Sequence, residues 1–220
     1  GPLHVGHCRG AVYGDILANL LKFAGHTVVK EYYVNDYGNQ IDIFVKSVYH
    51  RIKEILHKTT FPENKNLYPG QYIKEIARDI IKEKKISNYD NFEKIKDLLS
   101  KESILHAMKL IKSNLESMGI KHDNFVYESN LVKQKIIEKV VAKLTKKNLL
   151  YDGFLPKPKS IKDENWIKRK QLLFKSSSFG DDEDRALQKP DGSWTYFAND
   201  IAYHLNKIDR SFDKYINILG

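Results

Sequence analysis

Cysteine is almost missing from this sequence. Cys8 is the single thiol in 220 residues, so no disulfide forms within the chain and a reducing cytosol suits it. Long apolar runs are missing too. No stretch approaches the roughly 18 residues of a membrane-spanning helix, and no leader pattern opens the chain. A cytoplasmic protein with no membrane association is therefore expected. Acids are in the minority, 28 against 37 lysines and arginines, for a net charge of +9. That excess suits a polyanion such as RNA through counterion release. It suits a plain lysine-rich composition equally well, because the lysines are scattered and form no block. No repeat or low-complexity tract is present. With 41% hydrophobic and 30% charged residues, the chain can bury a core as one large domain or one domain with an insertion.

What is there changes along the chain. After His7, Val12, Ile16, Leu20 and Phe23 recur at helical spacing, and Gly25 stands where a left-handed stop belongs. HTVVKEYYV (26–34) is rich in β-branched and aromatic residues and predicts a strand. NDYGNQ (35–40) then predicts a polar turn. This order predicts half of a β-α-β unit, hence a parallel sheet with helices on its faces. From Ile41 to about Leu150 helical periodicity dominates. One stripe is Tyr72, Ile73, Ile76, Ile80 and Ile81. A second runs from Phe92 to Met118, with a break expected near 101–103 and a stop at Gly119. A third joins Leu131, Ile136, Ile137, Val140, Val141 and Leu144, with Lys143, Lys146 and Lys147 at its C-terminal end. Residues 59–70 predict a loop. Further on, 168–177 predicts a strand, and PDGS (190–193) between RALQK and WTYFA predicts a hairpin. A helix is expected over Asn199 to about Ile208, then a buried strand over 215–220, which suggests a piece of a longer protein.

His4 and His7 flank Gly6 at the start of the first helix. A helix N-terminus offers free amides and a positive dipole end to anions. Two imidazoles add donors, and a glycine lets a flat base approach the backbone. The combination suits a nucleotide whose α-phosphate is attacked while pyrophosphate leaves. A metal at His4, His7 and Cys8 is disfavoured, because no second ligand cluster lies nearby in sequence and a closed site needs four ligands. For four residues alone, simple helix capping is the better reading. The order of glycine, helix and strand favours the nucleotide.

With these residues in place, the sequence is identified as resembling the class I aminoacyl-tRNA synthetases, and within them the arginyl-tRNA synthetases of bacterial type. His4-Val5-Gly6-His7 resembles their first signature, usually His-Ile-Gly-His. PLHVGHCRGAVYGDILANLL, YYVNDYGNQ and FGDDEDRALQKPDGSWTYFANDIAYHL carry the match. It runs through 1–40 and 168–220, and the helical middle is less diagnostic.

The resemblance implies an α/β class I Rossmann-like nucleotide-binding fold with a parallel sheet, split by a largely helical insertion. Its divisions would be 1–40 and 166–220 for the catalytic fold and 41–165 for the insertion. It implies His4 and His7 as catalytic residues and His4, Gly6 and His7 as ATP-binding. It implies Tyr196 and Asp200 as the arginine-binding pair, and Asn35, Asp36 and Gln40 as a substrate-facing loop. It further implies ATP with Mg²⁺, L-arginine and tRNA(Arg) as reactants of a cytoplasmic monomer, with no resident metal. The chemistry agrees, since an aspartate takes a guanidinium through two parallel hydrogen bonds that a lysine substrate cannot reproduce.

Spacing alone reads otherwise. Asp200 would be an ordinary helix-start aspartate, Tyr196 a strand aromatic, and Asn35–Gln40 an Asx-type turn. Residues 181–184 offer carboxylates for Mg²⁺ but read better as a solvated turn. The second family signature, Lys-Met-Ser-Lys-Ser, and an anticodon-binding domain are absent from this sequence. Activity from this stretch alone is therefore expected to be little or none. Two rivals are a small-molecule nucleotidyltransferase with the same histidine motif and a non-catalytic RNA-binding paralogue. The first would be short and need no tRNA; the second does not need the intact histidine set.

Overall fold

Two strand starts organise the first part of the chain. The computed structural model describes residues 1–84, 89–156 and 167–218. It divides into two units, Gly1–Val126 with Ile216–Gly220, and Tyr127–Tyr215. In the first unit, helix α1 (Val5–Phe23) leads to strand β1 (Glu31–Val34). Gly25, at φ +91°, makes the left-handed turn after α1. The Lys30 carbonyl, just before β1, accepts from the amides of Asp123 (2.8 Å) and Asn124 (3.1 Å). Asn124 opens β2 (Asn124–Tyr127), which is the neighbour of β1. Both strands thus leave from the same end and run parallel, so a crossover must join them. Here the crossover is α2 (Asn39–His57), α3 (Gln71–Glu83) and α4 (Phe92–Ser117).

These three helices hold the first unit's core. Val45, Val48 and Ile52 of α2, Ile73 and Ile80 of α3 and Leu99 of α4 are all at most 1% exposed. Each such side chain contributes about 1.5–3 kcal/mol by leaving water. Ser47 is polar but fully buried. Its hydroxyl donates to the Ile43 carbonyl (2.7 Å) and accepts from the Tyr68 amide (2.9 Å), which fastens the 59–70 loop to α2.

A charged network ties α1 to the sheet. Lys30 Nζ lies 2.6 Å from Asp15 Oδ1 with both side chains only 15% exposed, and Asn19 donates to the other Asp15 oxygen at 2.9 Å. The Lys30 hydrogen bond holds the Asp15 carboxyl below its ordinary 3.8, with partial burial opposing. A depressed carboxyl stabilises the fold fully above its unfolded pKa and ceases to as pH falls through the folded value. In the whole protein, Asp15→Asn is therefore expected to lower the thermal midpoint at neutral pH. The gap from the parent should close in strongly acidic buffer. A gap that persists there would contradict this linkage.

In the second unit, α5 (Glu128–Lys133) and α6 (Ile136–Lys146) precede an antiparallel sheet in the order β3 (Leu150–Gly153), β4 (Gln171–Phe174), β5 (Arg185–Ala186). Leu150 faces Phe174, and Leu173 faces Ala186. Helix α7 (Tyr196–Ile208) follows. Thr195 fixes its start: its Oγ1 accepts from the Ala198 amide (3.3 Å) and donates to the Ala186 carbonyl (2.7 Å). Ala198 and Ala202, at most 1% exposed, are the buried face of α7. Thr195→Ala is expected to cost about 1 kcal/mol, read from urea unfolding, with most of it restored by serine.

Several local expectations give way to the structure. The strand expected over 26–34 is confined to β1, and the one expected over 168–177 to β4. Helix α4 runs without the break expected near 101–103. Glu102 and Ser103 are buried there, at 3% and 0% exposure, so they face inward and do not end the helix. The third stripe is two helices, because Lys135 adopts φ +53° between α5 and α6. The PDGS turn forms, but the ladder around it is one bridge, Gln188 with Trp194. Residues 196–198 belong to α7, because the Thr195 cap starts the helix earlier than Asn199. Residues 215–218 are exposed and form no strand. Ile218 instead lies against α1, where a Cβ on Gly14 would meet it at 3.2 Å. Residues 219–220 of that expected strand lie outside the described residues, as does the expected 165/166 boundary.

Candidate active site

The loop before α1 is anchored by the Leu3 amide, which donates to Asn114 Oδ1 of α4 (3.2 Å). His4 then caps the helix. Its Nδ1 accepts from the amides of Gly6 (3.1 Å) and His7 (3.4 Å). His7 Nδ1 reaches back to the His4 amide at 3.5 Å, closing a reciprocal box. The two rings stack with centroids 3.6 Å apart and planes 19° from parallel.

This geometry fixes the chemistry of both imidazoles. A ring nitrogen that accepts an amide proton is unprotonated, so each neutral ring carries its proton on Nε2. Partial desolvation, then the neighbouring His4, holds the His7 pKa below its usual value. With each Nδ1 turned to a backbone amide, the pair offers its Nε2–H groups to an anion. The Gly6 and His7 amides are already committed to the His4 ring, so the imidazoles are the donors this helix start presents. Gly6 has a structural reason beside any substrate contact. A Cβ there would stand 3.0 Å from His4 Cε1, and the capping ring would have to move.

The 35–40 segment follows β1 into α2. Gly38, at φ +90°, precedes the helix without a side-chain cap. Asn35 and Gln40 are exposed and Asp36 is half-buried. Gln40 lies in the first turn of α2. Asp181 and Asp184 of the acidic run are held by neighbouring side chains. Arg185 grips both oxygens of Asp181, at 2.7 and 2.6 Å, and holds its pKa to about 2. Asp184 accepts from the Ser177 amide, the Ser177 hydroxyl and the Tyr151 hydroxyl.

Tyr196 and Asp200 both lie on α7, one turn apart on one face. Tyr196 is 65% exposed. Partial burial raises the Asp200 carboxyl above 3.8, while His204 and Lys207 pull it down. His204 and Lys207 continue the same face. The sequence reading passed over both, although the spacing 196, 200, 204, 207 signals them once the helix is known to begin at Tyr196. The histidine pair belongs to the first unit and the α7 face to the second.

The family described as tRNA synthetases class I (R), catalytic domain, matches residues 1–219. The chain belongs to that family. It is 55% identical over 221 residues to an arginine–tRNA ligase of Pelagibacter ubique (strain HTCC1062), covering 100% of this chain and 38% of that protein. It is 50% identical over 226 residues to the arginine–tRNA ligase of Ehrlichia ruminantium (strain Welgevonden), with the same coverage. Its backbone is similar to the crystal structure of a Campylobacter jejuni protein assigned as an arginyl tRNA synthetase. The TM-score is 0.81 and the identity 31%, over 97% of this chain and 43% of that one. The chain thus spans 38% of the length of these curated relatives. The expected α/β class I fold, with its parallel strands and helical region, is what this synthetase domain has. No helix among the described residues is long and apolar enough to cross a membrane.

Proposed function

We propose that the protein containing this domain is an arginine–tRNA ligase. It activates L-arginine with ATP to arginyl-adenylate and transfers the arginyl group to the 3′ end of tRNA(Arg). The observation that carries the reading is the stacked His4–His7 pair at the start of α1, with both Nδ1 atoms turned to backbone amides and both Nε2–H groups left as donors. The family match and the names of the relatives support the same reading.

The arginine carboxylate attacks the α-phosphorus of ATP in line, and pyrophosphate leaves. His4 and His7 stabilise the charge that develops on the phosphate oxygens, which is where fixed donors contribute most. Gly6 leaves room for both the His4 ring and the adenine. Tyr196 and Asp200 hold the guanidinium, and Asn35, Asp36 and Gln40 face substrate. Mg²⁺ enters with the ATP phosphates. The terminal adenosine hydroxyl of tRNA(Arg) then attacks the carbonyl carbon of the adenylate, the acyl–phosphate bond breaks and AMP leaves. Residues 1–40 and 166–220 supply the catalytic fold and 41–165 the helical insertion. The whole protein works as a cytoplasmic monomer, and the positive net charge suits its tRNA.

Exchange of radiolabelled pyrophosphate into ATP tests the activation step. The whole protein is expected to catalyse it with arginine and tRNA present and not with lysine. Exchange that needs neither arginine nor tRNA would point to the small-molecule nucleotidyltransferase.

A further inference from the structure

The end of α3 meets the middle of α4 at three side chains that can each offer a ligand atom. These are Glu83, Glu102 and His106, and their atoms lie within 4.8 Å of one another. Glu102 and His106 are one turn apart on α4 and face inward, at 3% and 6% exposure. Glu83 closes the group from the last residue of α3. Among the described residues, two of the buried atoms, Glu102 Oε2 and His106 Nε2, make no hydrogen bond. Leaving such groups dry and unmatched is costly, and native proteins rarely do so.

The neighbours account for only part of the cluster. Lys84 Nζ sits 3.0 Å from Glu102 Oε1, which leaves Oε2 open. His106 Nε2 lies 3.4 Å from Glu83 Oε2, and its Nδ1 lies 3.8 Å from Asp79 Oδ2. A protonated His106 between two carboxylates would explain those two distances. It would not explain the open oxygen of Glu102.

We propose that Glu83, Glu102 and His106 bind one zinc ion that clasps α3 to α4. One imidazole and two carboxylates make a borderline donor set, suited to Zn²⁺ and poorly suited to Mg²⁺ or Ca²⁺, which take oxygen alone. Zinc needs ligands at about 2.0–2.2 Å, so the three groups close by small side-chain rotations. Water completes the tetrahedron. Lys84 remains on Oε1 and orients the carboxylate, as outer partners of metal ligands do. The site shares no residue with the helix-start histidines, and water holds its one open position. No local sequence pattern marks the cluster, because Glu83 is nineteen positions before Glu102 and only the packing of α3 on α4 unites them.

The test uses the whole protein, stripped with chelator and titrated with zinc chloride by calorimetry, with thermal unfolding in parallel. The expected result is one zinc equivalent and a higher thermal midpoint. Glu83→Gln and His106→Gln should each weaken that equivalent at least tenfold and remove the rise in midpoint. The His4→Ala, His7→Ala double variant should keep both. Glu83 is exposed enough that its amide variant carries the test even if His106→Gln does not fold. No zinc equivalent, or one that survives Glu83→Gln unchanged, would overturn the site.

Discussion

Replacing His4 or His7 with alanine in the whole protein lowers the rate of arginine activation about 100-fold or more, while the arginine concentration at half saturation moves little. The magnitude is that of losing one preorganised donor to developing negative charge. The split follows from where the donors act. They face phosphate charge that grows in the transition state, so they lower the barrier without tightening ground-state binding of arginine. The cap complicates the alanine variant at His4, since Gly6 and His7 would lose the acceptor of their amide protons. His4→Asn separates the two roles. Its side-chain oxygen can cap the helix start, but it has no imidazole Nε2–H. His4→Asn is expected to fold with near-parent stability and still activate arginine poorly. Activation at the parent rate by that variant would reduce the histidine to a cap.

The second large effect belongs to α7. Asp200→Asn raises the arginine requirement about 10- to 100-fold, the range expected when a charge-assisted pair loses its charge. It does so with a smaller effect on the maximal rate. The carboxyl also predicts a pH dependence. Partial burial raises its pKa in the free protein, and a bound guanidinium would lower it again. Arginine binding is therefore complete above the raised value and weakens as pH falls through it. Asp200→Asn should abolish that acid limb of arginine saturation. Unaltered saturation by arginine across pH would remove Asp200 from the substrate site.

Legibility in the sequence followed the range of the interactions. The helix stop at Gly25, the stop at Gly119 and the 59–70 loop are local, and local chemistry announced them. So did the α1 start, because the His4 and His7 caps act within four residues. The strands were harder, since their extent depends on partners far along the chain. Residues 26–30 have strand composition, yet only 31–34 are assigned to β1. Residues 215–218 have strand composition too, and lie against Gly14 of α1 through Ile218. Buried polar residues misled most. A break is expected near 101–103, whereas Glu102 and Ser103 are buried and α4 runs straight through them. The pairing of Tyr196 with Asp200 was legible only through resemblance. Periodicity started α7 too late, and the Thr195 cap, bound to the Ala186 carbonyl, sets the true beginning.

Charging bulk tRNA with the whole protein, ATP and Mg²⁺, with each radiolabelled amino acid offered in turn, separates the ligase from its rivals. Label is expected on tRNA with arginine and with no other amino acid. Another amino acid on the tRNA would keep the histidine pair and discard the guanidinium site on α7. No charging by a folded, ATP-binding protein would contradict the ligase reading and leave a nucleotidyltransferase or an RNA-binding paralogue.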